Sequence, residues 1–149
     1  MKQIGKIALT LLLATTLFSA CKKENEPGEW MRFSSNIDET SNPWYTEEVT
    51  VQAQLGGFLI SGIHPDGSTL QLLIKGSAVS NYEVEIGDAT AAYRAGADPL
   101  KIFVGESGLV TLTEVNSAER RIQGTFNVRV VNSITESGGR INGSFRTKF

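Results

Sequence analysis

Apolar and polar residues alternate with a period of two at the C-terminal end of the chain. Apolar positions interleave with arginines and short polar residues over residues 121–130 and again over residues 140–149. This period places one set of side chains on one face of a β-strand and the other set on the opposite face. The segment between the two runs contains turn formers and predicts a long antiparallel hairpin that closes at residues 132–139. Because the apolar Phe149 falls on the inward face, we expect the C-terminus to end in a strand tied into the sheet.

Shorter runs with the same alternation predict further strands upstream. These runs cover residues 31–37, 49–55, 58–63, 70–75, 82–86, 90–93, 100–104 and 109–115. Residues 64–68 contain Pro, Asp and Gly, which form turns, and predict a hairpin between the strands on either side. We expect residues 90–93 to form a short edge strand, residues 105–108 a turn and residues 38–43 a loop.

The alternation also predicts which side chains build the core. In residues 100–104 the inward positions are predicted to be Leu100, Ile102 and Val104, and Ile86 is predicted to end an inward-facing row. No window repeats apolar residues every 3.6 positions, so no helix is predicted in the domain. We therefore predict an all-β fold, either an antiparallel β-sandwich or a flattened β-barrel of about eight to nine strands.

The N-terminal 20 residues have the composition of a signal peptide. Two lysines precede an apolar run over residues 7–18, which is too short to span a membrane and ends in small residues. Cys21, the only cysteine in the chain, follows the small pair Ser19 and Ala20. This arrangement resembles a bacterial lipobox, although Phe18 stands where a lipobox usually has leucine. The resemblance implies that Cys21 is lipidated and anchors the mature protein to a membrane.

Residues 21–29 are polar, contain Pro27 and Gly28, and predict a flexible tether. Residues 30–149 then form a single domain, because the length suffices for one compact core. The segment 23–26, a lysine followed by mostly acidic positions, is similar to the surface-export signal of Bacteroidota lipoproteins. That similarity implies an outer-membrane lipoprotein exposed on the cell surface. The alternative is an ordinary solvated tether and a domain that faces the periplasm.

The remainder of the chain resembles a family of uncharacterised small Bacteroidota lipoproteins. The resemblance is carried by Phe33, Ile37, Asp38 and Trp44, by Tyr82 and Tyr93, and by residues 108–113, 121–126 and 141–145. These are strand and turn motifs, so they imply fold and compartment, and they carry over no catalytic residue. The chain departs from the pattern at residues 38–43, where a tight glycine turn would be expected.

Charge suggests one possible binding surface. The whole chain has a formal net charge of −2, which gives no general attraction to nucleic acid. Five cations nevertheless share the outward face of the final hairpin. They are Arg121, Arg129, Arg140, Arg146 and Lys148. This basic face could meet an acidic envelope protein, a lipid headgroup or a polyanionic glycan; alternatively, Glu83, Glu85 and Glu114 on neighbouring strands neutralise it.

Three aromatic residues suggest a second possible surface. Trp30, Trp44 and Tyr45 could stack on a sugar ring, because aromatic side chains combine an apolar face with a polar atom. The alternative is that they close an open end of the barrel or sandwich.

The chain has few residues suited to catalysis. Its single histidine, His64, lies in a predicted turn, and its single cysteine is predicted to carry lipid. Neither a metal nor a cofactor is expected, because no metal-ligand spacing and no phosphate-binding glycine loop is present. We therefore predict a non-enzymatic binding or accessory structural module at the outer membrane or cell surface. The alternative is a small carrier or inhibitor that holds an apolar molecule inside a barrel. A filled core would favour the binding or accessory module, whereas a missing layer of side chains would favour the carrier.

Overall fold

The computed structural model describes residues 28–37 and 42–149. The predicted signal peptide (residues 1–20), Cys21, most of the predicted tether and residues 38–41 lie outside the described part.

The described residues form ten β-strands and no α-helix. Their bounds in chain order are β1 Trp30–Ser35, β2 Asn42–Thr46, β3 Val49–Gln54, β4 Gly57–Ile63, β5 Thr69–Ile74, β6 Ser80–Glu83, β7 Ala89–Arg94, β8 Ile102–Asn116, β9 Arg121–Val131 and β10 Gly138–Lys148. Nine strands follow the antiparallel order β2-β1-β10-β9-β8-β7-β5-β4-β3, and β6 pairs with β8 beside this path. The all-β prediction is confirmed, and the nine strands of the path agree with the predicted eight to nine; β6 is an additional strand.

The sheet curls until its two ends nearly meet. β2 and β3 are the end strands of the path, yet only Glu47 and Glu48 separate them in sequence. At this junction the amide of Ile63 donates to the carbonyl of Glu48 over 3.0 Å, and the Thr46 hydroxyl donates to the carbonyl of Ile63. β4 is therefore hydrogen-bonded to the junction between β2 and β3, which brings the two ends of the sheet together. Of the two predicted architectures, the barrel is the one that forms.

Aromatic rings fill the middle of the barrel. The ring of Phe33 on β1 stacks on Trp44 of β2 at a centroid distance of 4.6 Å. The Phe33 ring also makes edge-type contacts with Tyr93 of β7, at a centroid distance of 5.3 Å, and with Phe126 of β9, at 6.1 Å. Since these four residues come from strands on different sides of the barrel, they occupy its interior at this level.

The final hairpin forms as the alternation predicts. β9 and β10 pair along their whole length, and the apolar positions of β9 are buried. The C-terminus is held in place, because the amide of Phe149 donates to the carbonyl of Arg120 over 2.8 Å. The Phe149 ring also lies 5.0 Å from Phe58 near the start of β4. The prediction of a tied C-terminal strand is confirmed.

The structure corrects the predicted turn at residues 105–108 and the face assigned to residues 100–104. Gly105 and Gly108 lie inside the long strand β8, where the register with β9 shifts between Gly105 and Ser107. The glycines therefore lie at an irregularity within a strand, where β8 carries an extra residue relative to β9.

The face predicted for residues 100–104 is also wrong. Phe103 points inward, whereas Ile102 and Val104, which were predicted to face the core, are exposed.

Three smaller predictions are also wrong. β6 ends at Glu83, and Ile86 is 67 % exposed in the following turn. The strand predicted as an edge is β7, which lies between β5 and β8. Pro43, predicted in a loop, lies in β2, whose position at the end of the sheet tolerates a residue without an amide donor.

Candidate functional site

A groove of about 600 Å³ crosses the outer face of β2, β1 and β10. Two rows of side chains, set by the antiparallel register, line it. One row is Tyr45, Arg32 and Ser144, and the other is Pro43, Ser34 and Asn142. We call this surface the outer groove. Cross-strand neighbours lie about 5 Å apart, so the six side chains form one continuous patch.

Arg32 is the charged residue of the outer groove, and the sequence analysis did not identify it. Its Nε donates to Ser144 Oγ over 3.3 Å, and its guanidinium lies 5.1 Å from the centre of the Trp30 ring. In the part of the chain that the structure describes, Arg32 takes part in no ion pair. The guanidinium is therefore positioned by a ring and a hydroxyl while its charge remains uncompensated.

Tyr45 places an aromatic ring beside Arg32. Its side chain is 51 % exposed, and its hydroxyl donates to Glu47 Oε1 over 2.9 Å. This hydrogen bond to a carboxylate raises the pKa of the phenol above its ordinary value. The ring is held at the edge of the groove with accessible apolar surface.

The other two predicted aromatic residues occupy different places. Trp30 is half-buried beneath Arg32, next to the groove. Trp44 contributes to the groove lining but is only 6 % exposed, and its ring is stacked on Phe33 in the core. Its indole Nε1 is buried without a hydrogen-bond partner among the described residues. Of the three, Tyr45 offers a ring to a ligand most directly, whereas Trp44 is a core residue.

The structure divides the predicted basic face into two parts. Arg121 is paired with Glu114 and Glu119, and Arg129 Nε lies 2.6 Å from Glu106 Oε2. The charges of Arg121 and Arg129 are therefore neutralised by neighbouring glutamates. Glu114 was predicted for this role, whereas Glu119 and Glu106 were not.

The other cations of the basic face have different surroundings. Arg140 Nη1 donates to Asn127 Oδ1 over 2.6 Å. The side chains of Arg146 and Lys148 take part in none of the ion pairs seen within residues 28–37 and 42–149. Both lie on the outward positions of β10, the strand that also forms one side of the outer groove.

His64 enters the lining of the groove from the turn between β4 and β5. Its Nδ1 lies 2.9 Å from Asp66 Oδ1, and the same carboxylate oxygen accepts the amide of Ser68 over 2.7 Å. Partial burial alone would raise the pKa of Asp66, but the hydrogen bonds from Ser68 and the contact with His64 outweigh it and lower that pKa. The Asp66 carboxylate is thus engaged in shaping the turn.

The described residues give no arrangement that could hold a metal, since no three His, Cys, Asp or Glu side chains come together there. Within the same residues, no helix has the length and apolar character needed to cross a membrane.

A second recess, of about 430 Å³, lies at the end of the barrel where β1 finishes. Its lining includes Tyr93, Phe103 and Leu100, together with polar Asn132. Asn132 is held within the protein, because its amide donates to the carbonyl of Leu100 and its Oδ1 accepts the amides of Ile134 and Thr135. The recess is an apolar hollow at the mouth, above the aromatic layer that fills the interior.

Comparison with known proteins adds one finding. A family model described as a domain of unknown function (DUF6252) matches residues 33–147, from within β1 to within β10. No curated protein and no solved structure gives a match.

Proposed function

The chain belongs to the DUF6252 family of domains of unknown function, and we propose that it is a non-enzymatic binding module of the bacterial cell surface. In this proposal it is a small Bacteroidota lipoprotein, held at the outer membrane by lipid on Cys21. The observation that carries the proposal is an open, donor-rich groove on the wall of a barrel whose interior is filled.

The packing of the barrel supports an external binding site. Phe33, Tyr93 and Phe126 pack against one another in the middle of the barrel and occupy the interior at that level. The outer groove has the mixture typical of a ligand site: an apolar ring and proline surrounded by a few convergent polar groups. A ligand can reach it without any rearrangement of the sheet.

The path of the chain is compatible with an anchored module. The amide of Lys148 donates to Glu29 Oε1 over 3.3 Å, so the chain enters the barrel beside its own C-terminus. A tether attached to Cys21 would bring this end nearest the membrane. The outer groove lies along the barrel wall and would remain open to large molecules.

Ligand-induced stabilisation tests the proposal. Full-length protein in detergent would be screened against oligosaccharides, lipopolysaccharide, phospholipids and peptidoglycan fragments. We expect at least one class to raise Tm by about 3 °C or more, because a ligand that binds only the folded state stabilises it by mass action. The rise should disappear in the groove variant Tyr45→Ala/Asn142→Ala.

The matched control is Gln71→Ala/Thr90→Ala, which truncates two exposed residues on β5 and β7, away from the groove. This variant should retain the full rise in Tm. The proposal fails if no class stabilises the wild type, or if groove and control variants respond alike.

A second candidate function is the transport of a small apolar molecule in the recess at the barrel mouth. Its 430 Å³ volume and the lining by Tyr93, Phe103 and Leu100 support this candidate. A lipid that stabilises the groove variant as well as the wild type, and that no longer stabilises a variant of the exposed recess residue Leu100, Leu100→Asp, would favour the carrier over the surface module.

A further inference from the structure

Building on the proposed function, we infer that the ligand of the outer groove is an acidic glycan, bound through Arg32 in the groove and Arg146 beside it on β10. The anionic group is a carboxylate or sulfate of the sugar chain, and the neighbouring aromatic and hydroxyl side chains contact the sugar itself.

The two arginines form a pair of cations on one face of the sheet. In the register of β1 and β10, Arg146 lies opposite Trp30 and Ser144 lies opposite Arg32. Arg32 and Arg146 are therefore diagonal neighbours, about 7–8 Å apart at the backbone. Trp30 is the cross-strand partner of Arg146, and its ring lies 5.1 Å from the Arg32 guanidinium.

The surroundings of these arginines differ from those of Arg121 and Arg129. Arg121 and Arg129 are each matched by a glutamate, whereas Arg32 and Arg146 have no such partner among the described residues. Two adjacent uncompensated cations repel each other, and an anion placed between or beside them removes that repulsion. A planar guanidinium also binds carboxylate and sulfate oxygens through two parallel hydrogen bonds.

The rest of the groove favours a glycan over a lipid headgroup or an acidic protein segment. Tyr45, which is 51 % exposed, offers its ring as an apolar platform that suits the C–H face of a sugar ring. Ser34, Asn142 and Ser144 present hydroxyl and amide groups that both donate to and accept from sugar hydroxyls. Glu47, an acid at the rim, is engaged with the Tyr45 hydroxyl.

Matched acidic and neutral probes test the inference. Full-length protein in detergent would be titrated with oligogalacturonate and with its methyl ester, and with dextran sulfate and with dextran. We expect at least one acidic probe to bind about tenfold more tightly than its neutral counterpart, with affinity falling as salt rises. The two pairs distinguish a carboxylate ligand from a sulfated one.

Arginine variants assign the effect to the groove. Arg32→Gln and Arg146→Gln should each weaken binding of the acidic probe roughly tenfold, the loss expected for a charged hydrogen bond. Arg32→Lys should lie between wild type and Arg32→Gln, because it keeps the charge but loses the fork. Arg129→Gln, which removes an arginine already paired with Glu106, should change the affinity less than twofold.

The inference is overturned if acidic and neutral probes bind equally, or if neither binds. It is also overturned if Arg32→Gln and Arg129→Gln have the same affinity for the acidic probe while both keep the wild-type Tm. The proposed function would still stand in those cases, provided that another class of ligand stabilises the wild type and not the Tyr45→Ala/Asn142→Ala variant.

Discussion

Phe33→Ala is expected to lower the free energy of unfolding by about 3–5 kcal/mol, the range for truncating a buried phenylalanine. The Phe33 ring contacts Trp44, Tyr93 and Phe126, so its removal takes away the shared partner of three rings from three strands. The surrounding strands are joined in a nearly closed sheet and cannot collapse freely into the cavity. A domain of this size is stable by only about 5–15 kcal/mol, so the loss is a large fraction of the total.

Urea denaturation of the full-length protein measures this effect. Tyr45→Ala is the matched aromatic control, because Tyr45 lies on the neighbouring strand but is 51 % exposed, and it should cost less than about 1 kcal/mol. A loss below about 1 kcal/mol for Phe33→Ala would show that the interior is not packed around this ring, and the carrier function would then gain support.

Gly108→Ala is expected to destabilise the protein by about 3 kcal/mol or more, through backbone strain and overpacking together. Gly108 lies in the irregular part of β8 with φ of +122°, a conformation that residues with a Cβ rarely adopt. An added Cβ would also collide with the carbonyl oxygen of Asn127 and lie 2.8 Å from the Cα of Val128. Because both contacts are backbone atoms of β9, neither can rotate away.

Gly96→Ala separates the two causes. Gly96 also has a positive φ, +65°, but nothing lies within 4 Å of the position its Cβ would take. It should therefore cost about 1 kcal/mol, the backbone penalty alone. Equal losses for the two variants in chemical denaturation would contradict the close packing of β8 against β9 at Gly108.

The alternation in the sequence was sufficient to predict the long final hairpin. Over residues 121–130 every inward position holds an apolar residue or glycine, and every outward position holds a polar residue. A shift of one residue would therefore expose Phe126 and bury Arg129. Only one register is compatible with such a pattern. The barrel, in contrast, could not be distinguished from a sandwich, because closure depends on the contact of β4 with the junction at Thr46 and Glu48.

The same reasoning failed where both faces of a strand are apolar. Leu100, Ile102, Phe103 and Val104 allow either orientation, and alternation cannot choose between them. The two glycines that follow are compatible with a turn or with an irregularity inside a strand. The pairing with β9 decided both questions, and that pairing is a long-range property.

The outer groove was only partly predictable for a related reason. Tyr45 was identified from its residue type, and Arg146, which lies beside the groove on β10, from its position on a predicted face. Arg32 was missed because its importance depends on Ser144 and Trp30, and β1 had no predicted neighbour in the sequence analysis. The outward position of Arg32 between buried Met31 and Phe33 was the available signal.

Photo-crosslinking in intact cells would test the central claim most directly, that a surface-displayed protein binds through the outer groove. A benzophenone amino acid would replace Tyr45 in the groove or, as control, exposed Gln71 on β5. The proposed function predicts a crosslinked species of higher mass from position 45 and none from position 71, and proteinase added to intact cells should digest it. Equal crosslinking from both positions, no crosslinking from position 45, or protection until the cells are lysed would contradict it.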